Sequence, residues 1–135
     1  MSGRSSEFRA FRQRMNERIL GHDNQVVRRF FALDTQTYKT GALDVRTKEM
    51  LGLVASLVLR CDDCISYHVA QCVEAGLGED EFFEVFSVGL VVGGSIVIPH
   101  LRRAVDFLDE LLAARPVDAD IDPTGREATS PHDHG

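Results

Sequence analysis

The sequence predicts an all-α protein, a helical bundle with a Cys-x-x-Cys pair at the start of one helix. Three observations carry this reading. Apolar residues recur at intervals of three and four rather than two, the spacing of a helix face and not of a strand. The periodic segments start near residues suited to helix N-termini and end at Gly21, Gly76 and Gly93-Gly94. No internal repeat is visible, and strand signals are weak throughout.

The elements follow in order. Phe8, Phe11, Met15 and Ile19 step by 3, 4 and 4, which predicts an amphipathic helix over about residues 5–20 closed by Gly21. Val26, Val27, Phe30 and Phe31 open a second helix, for which Asp23 is the expected N-cap and which frays near Thr40-Gly41. Asp44 caps a third helix carrying Val45, Leu51, Leu53, Val54, Leu57 and Val58. These side chains surround most of the cylinder, so this helix should be central. A fourth runs from Asp62 to Glu74. Glu79, Asp80 and Glu81 favour the N-terminus of a fifth through the helix dipole, with its body over Phe82 to Val92. A last helix covers about Ile98 to Ala113.

Length and composition narrow the function classes. At about 150 residues per domain, 135 residues make one domain, placed at residues 1–114. Beyond it, residues 115–135 carry five acids, two bases and three prolines, an acidic tail. Its His132 and His134 read as solvated polar residues rather than metal ligands. The net charge of −6 argues against a nucleic-acid partner. The longest uncharged run, Val85 to Pro99, has 15 residues and contains Gly89, Gly93 and Gly94. A span needs about 20 apolar residues, so no membrane partner is expected and the run reads as core or subunit contact. The N-terminus has no apolar stretch typical of a secretory signal. Three cysteines are too few, and odd in number, for a secreted disulfide scaffold; the expected setting is a reducing cytoplasm.

Chemistry concentrates in Cys61-Asp62-Asp63-Cys64 and the His68 that follows. Positions 61, 64 and 68 are three and four residues apart, so they share one helix face. At a helix start, backbone amides and the dipole stabilise a thiolate, the reactive form of cysteine. Two such thiols can close a disulfide during turnover, and His68 can relay a proton. The plainer readings are two buried cysteines or half a zinc site. Cys61, Cys64, His68 and Cys72 cannot together wrap one ion from a straight helix, because Cys64 and Cys72 lie about 12 Å apart along its axis. Cys72 reads as a small core residue. Glu49 interrupts an otherwise apolar helix; buried, such a carboxyl becomes a usable general base. Periodicity alone instead puts it in a mixed row with Val45, Ser56 and Arg60, an exposed stripe. His100 follows Pro99 at a helix start and reads as structural rather than as an acid–base group.

Glu49, eleven residues, then Cys61-x-x-Cys64-x-x-x-His68 resembles the active-site signature of the alkylhydroperoxidase D family, grouped with the carboxymuconolactone decarboxylases. Looser matches continue through Ala70, Glu74-Ala75-Gly76-Leu77 and the Gly93-Gly94…Pro99…Ala104 stretch. The resemblance covers about residues 40–112 and implies an all-α fold assembled as trimers or hexamers. It implies a thiol peroxidase that needs no metal, haem or flavin. Cys64 would be the inner, peroxidatic cysteine and Cys61 the more exposed resolving one, meeting an external dithiol such as a thioredoxin-like protein or a lipoyl domain. Glu49 and His68 would relay the proton. One departure stands out. The family often has an aromatic residue, commonly tyrosine, just before the second cysteine; here it is Asp63, beside Asp62. Carboxylates near the thiols oppose thiolate formation, unless they cap the helix amides. Tyr67, about 100° round the helix from His68, does not simply replace that aromatic.

The expected function is therefore reduction of hydroperoxides through the cysteine pair. The alternatives are a disulfide exchanger or redox sensor without peroxide turnover, a carboxymuconolactone decarboxylase-type enzyme, and a metal-binding module.

Overall fold

The computed structural model describes residues 3–115. The prediction made for the acidic tail, His132 and His134 included, lies outside them apart from Arg115. The described chain is six helices and no strand: α1 (Arg4–Leu20), α2 (Gln25–Thr37), α3 (Val45–Leu59), α4 (Asp62–Glu74), α5 (Glu79–Gly93) and α6 (Ile98–Ala114), with a 3₁₀ turn, Ser95–Val97, before α6. No described helix is long and apolar enough to cross a membrane.

The core belongs to α3–α6. Leu53 and Leu57 from α3, Ile65 and Val69 from α4, Phe82 and Phe86 from α5, and Phe107 and Leu108 from α6 are all at most 1% exposed. Burying each such side chain contributes about 1.5–3 kcal/mol, which is why these four helices set the frame. As its apolar girth predicts, α3 is central and packs on both α4 and α5.

By contrast, α1 and α2 contain no fully buried residue. Of the predicted α1 stripe, Phe8 reaches the core and meets the Phe107 ring edge-on at 5.7 Å. Phe11 and Ile19 stay exposed. Two polar contacts tie the start of α1 to α6: Arg4 to the Asp106 carboxylate at 2.7 Å, and the Ser5 amide donating to Glu110 at 3.0 Å.

The helix ends mostly follow the sequence reading, with one correction. The N-cap of α2 is Asn24, whose side chain accepts from the Val27 amide at 3.0 Å. Asp23, the expected cap, has φ +67° and belongs to the turn leaving α1. An N-cap needs an extended backbone, so a residue in the left-handed region cannot serve. Gly21 closes α1, but with an ordinary φ of −70°. Asp44 caps α3 as predicted, accepting from the Thr47 amide at 2.8 Å. The α2 helix ends at Thr37, slightly before the expected fray, with Tyr38 as its C-cap.

The junction between α3 and α4 positions the site. Arg60 has φ +61° and closes α3. Its amide bonds the Leu57 carbonyl at 3.0 Å, and the Cys61 amide bonds the Ser56 carbonyl at 3.1 Å. This is the Schellman pattern, normally built on glycine. Cys61 therefore finishes one helix and caps the next.

The uncharged Val85–Pro99 run divides between two environments. Phe86, Gly89 and Val97 are buried. Val88, Val91, Val92 and Ile96 face outward, with Val91 86% exposed.

Candidate active site

Cys61 and Cys64 are bonded as a disulfide across one helical turn, with their α-carbons 5.2 Å apart. Cys61 is the N-cap of α4, and its sulfur accepts the Cys64 amide at 3.3 Å. The helix dipole therefore acts first on the Cys61 sulfur, which sits where the helix presents its free amides. Asp62 and Asp63 do not take that capping role. In the single chain Cys61 is half-buried and Cys64 exposed, the reverse of the exposure the resemblance implied.

His68 lies one turn beyond Cys64, and Glu49 holds it from α3. His68 Nδ1 is 2.8 Å from Glu49 Oε1. Glu49 is only 2% exposed, which corrects the exposed stripe expected from periodicity. Glu49, Ser56 and the core residues Leu53 and Leu57 share the inward face of α3. A carboxyl can sit there because the imidazole on α4 meets it; without that partner its burial would cost several kcal/mol. Ser56 satisfies itself by donating to the Gly52 carbonyl at 2.7 Å.

A cavity of about 340 Å³ opens over this group. Cys64 and His68 both line it, together with Phe8, Phe11 and Met15 from α1 and Asp63. Arg12 stands at its wall, its guanidinium 4.1 Å from the centre of the Tyr67 ring.

Two tyrosines flank His68. The Tyr67 ring meets it edge-on at 5.1 Å, and the Tyr38 ring lies 5.4 Å away on another side. The Tyr38 hydroxyl is 3.5 Å from His68 Nε2. Burial, and then the nearby Glu49 charge, push both phenols above their ordinary range, so they remain neutral. Aromatic walls thus come from Tyr38 and Tyr67 rather than from position 63. Tyr38, thirty residues before His68, carried no spacing signal in the sequence.

The carboxylates between the cysteines behave differently from one another. Asp62 turns to α6, where His100 Nδ1 is 2.7 Å from its Oδ1 and Arg103 donates to its Oδ2 at 3.1 Å. Burial alone would raise this carboxyl. The His100 hydrogen bond and the Arg103 charge outweigh that and hold it below the usual range. His100 thus ties the start of α6 to the start of α4, beside the cysteines. Asp63 stays exposed.

Cys72 is fully buried in the core, and desolvation above all pushes its thiol up to about 12. It takes no part in the site. Among the described residues, no group of three or more His, Cys, Asp or Glu side chains is placed to share a metal ion.

Comparison with known proteins agrees with the helical fold. The sequence profile of the carboxymuconolactone decarboxylase family matches residues 24–107. A crystal structure of a Thermotoga maritima protein superposes with a TM-score of 0.77 at 55% identity, covering 79% of this chain and 94% of that one. A second Thermotoga maritima structure, described as a family protein with a suggested role in the antioxidative response, gives 0.76 at 54% identity, covering 79% and 91%. A Paracoccus denitrificans protein of the cox locus, itself uncharacterised, is 29% identical over 82 residues, 61% of this chain and 74% of its own length. The chain belongs to the carboxymuconolactone decarboxylase family.

Proposed function

We propose that this protein is a thiol-dependent peroxidase that reduces hydroperoxides through Cys64 and Cys61, working in a reducing cytoplasm. One observation carries the reading: Cys64 and His68 line the same cavity, and Glu49 holds His68 from behind. The antioxidative role suggested for the Thermotoga maritima relative supports the same direction.

The chemistry runs in three steps. The Cys64 thiolate attacks the distal oxygen of a hydroperoxide; the O–O bond breaks, and the sulfur becomes a sulfenic acid. The departing alkoxide takes a proton relayed by His68, which is replenished through Glu49, and leaves as an alcohol. The Cys61 thiol then displaces hydroxide from Cys64, forming the disulfide and releasing water. An external dithiol, a thioredoxin-like protein or a lipoyl domain, returns both thiols by exchange and is itself oxidised. Cys61 is suited to the resolving role because it sits one turn from Cys64 with the pairing geometry already in place. No metal, haem or flavin enters these steps.

A second reading is disulfide exchange without peroxide turnover. The exposure of Cys64 favours it, since a partner's thiol can reach that sulfur directly.

The exposed apolar side chains favour a partner of another kind. Val88, Val91 and Val92 on α5, and Val26, Phe30 and Leu33 on α2, are all more than half exposed. Such surface is unusual on a monomer. Further copies of this chain would cover it, in the trimer or hexamer that the family resemblance implies.

The test is a stopped-flow reaction of the reduced protein with one equivalent of an alkyl hydroperoxide, counting free thiols before and after. Loss of two thiols, abolished by Cys64→Ser and arrested as a sulfenic acid in Cys61→Ser, is the expected result. A rate no greater than that of free cysteine would eliminate the peroxidase and leave the exchanger. Reduction of the isolated disulfide by thioredoxin then tests that second reading.

A further inference from the structure

Gly52 lies three residues after Glu49, on the same face of α3. It is an interior helix position, where glycine is less favourable than alanine. Its backbone does not explain the choice, because Gly52 is absent from the positive-φ positions, which among glycines are Gly3, Gly76 and Gly94. Space does. A Cβ at Gly52 would stand 2.6 Å from His68 Cε1, 2.8 Å from Nε2 and 2.9 Å from Nδ1. Three atoms of one ring would be struck at once, so the imidazole lies against the bare α-carbon. The ring cannot step aside easily. Glu49 holds one edge at 2.8 Å, and Tyr38 and Tyr67 stand at two other sides.

The two ring nitrogens have different partners. Nδ1 faces the Glu49 carboxylate, and Nε2 faces the Tyr38 hydroxyl. A neutral imidazole has one donor and one acceptor. The carboxylate accepts only, so Nδ1 carries the hydrogen and Nε2 is left as the acceptor toward the phenol.

We propose that Gly52 and Tyr38 are positioning residues for His68: Gly52 leaves the slot in which the imidazole lies, and the Tyr38 hydroxyl donates to Nε2 while Nδ1–H is donated to Glu49. The catalytic consequence rests on the peroxidase reading; the positioning itself does not. The arrangement keeps an unprotonated Nε2 directed away from Glu49 and toward the Tyr38 hydroxyl, so a proton exchanged at Nε2 passes by way of that phenol.

Gly52→Ala and Tyr38→Phe test it, with nitrogen-15 NMR of the His68 ring as the direct readout. The wild type should show the Nδ1–H tautomer. Gly52→Ala should shift both ring nitrogens. Tyr38→Phe should keep the ring in place but populate both tautomers. In single-turnover peroxide reactions, Gly52→Ala should slow Cys64 oxidation by about tenfold to a hundredfold, the scale of a misplaced catalytic group. Reduction of the disulfide by dithiothreitol should be unaffected. Melting temperatures supply a control against simple misfolding. Gly52→Ala should lower Tm in the wild type but raise it in a His68→Ala background, where the slot is empty and alanine is the better helix former. The same change in both backgrounds, or an unchanged His68 spectrum in Gly52→Ala, would overturn the proposal. If the wild type does not turn over peroxide, the peroxidase reading fails, while the spectra and melting curves still decide the positioning.

Discussion

Asp62 and His100 form a bridge between the start of α4 and the start of α6, with Nδ1 of the histidine 2.7 Å from the carboxylate. Arg103 joins the same carboxylate, donating to its other oxygen at 3.1 Å. The residue directly after Cys61 is thereby tied to another helix, and one of the two negative charges between the cysteines is compensated. The family resemblance raised the question of how a thiolate could form beside two carboxylates. For Asp62, the answer is a pair of dedicated partners on α6, the Arg103 guanidinium and the His100 imidazole.

This bridge predicts a pH dependence of stability. The folded Asp62 carboxyl is lowered from 3.8, so the unfolded chain binds its proton more tightly. Its contribution is fully present above pH 4 or so and is lost as pH falls through the folded value. The side chain is 44% exposed, so the contribution is discounted to about 0.5–1 kcal/mol. Urea unfolding of wild type and Asp62→Asn should differ by that amount at pH 6 and converge in strong acid. A constant difference across that range would show that the carboxylate is not stabilised by its partners.

Glu49 should divide stability from chemistry. Glu49→Gln keeps the volume and a hydrogen-bonding group beside His68, so the fold should lose no more than about 1 kcal/mol. Glu49→Ala leaves a buried imidazole nitrogen without its partner and should cost about 1–3 kcal/mol. Both should slow peroxide-driven thiol loss by about a hundredfold, the low end for a general acid–base group. Thermal melts and stopped-flow traces on the same preparations separate the two effects.

Cys72 should be silent toward thiol reagents in the native protein. Its sulfur is fully buried and its thiol is raised from 9.0 to about 12, first by desolvation. With the Cys61–Cys64 disulfide intact, a thiol count should give none before denaturation and one after it. The raised value also carries a sign: the unfolded thiol ionises first, so its contribution to stability is complete below pH 9 and disappears between 9 and 12. Cys72→Ala should remove that alkaline dependence, as read by unfolding at pH 8 and 11.

Val91 tests the assembly. It is 86% exposed on α5, close to Val88 and Val92. A charge placed there would have to be buried without a partner in any interface that covers this face, at a cost of several kcal/mol. Val91→Asp should convert a trimer or hexamer to smaller species in light scattering, with helix content unchanged. A mass identical to wild type would rule this face out of the proposed assembly.

Particular residues show how much was legible in the sequence. The caps at Asp44 and the helix bodies of α3–α6 follow from periodicity and local hydrogen bonding, interactions that span only a few residues. Cys61, Cys64 and His68 share one helix, so their common face follows from the 3.6-residue repeat. Asp23 misled because its backbone, at φ +67°, is set by how α1 ends rather than by its own side chain. Glu49 misled for a different reason. A carboxyl on a helix reads as exposed until a partner is supplied, and its partner lies 19 positions later on α4.

The linear chain by itself determined that the protein is helical, that α3 is central, and that a cysteine pair opens a helix with a histidine one turn beyond. Those properties depend on the repeat of apolar residues and on contacts within one or two turns. Only the tertiary structure decided that Glu49 is buried, that Tyr38 reaches Nε2, that Gly52 makes room for the imidazole, and that His100 and Arg103 compensate Asp62. Each of these depends on packing between helices, where a group's environment is set by residues that spacing along the chain does not identify.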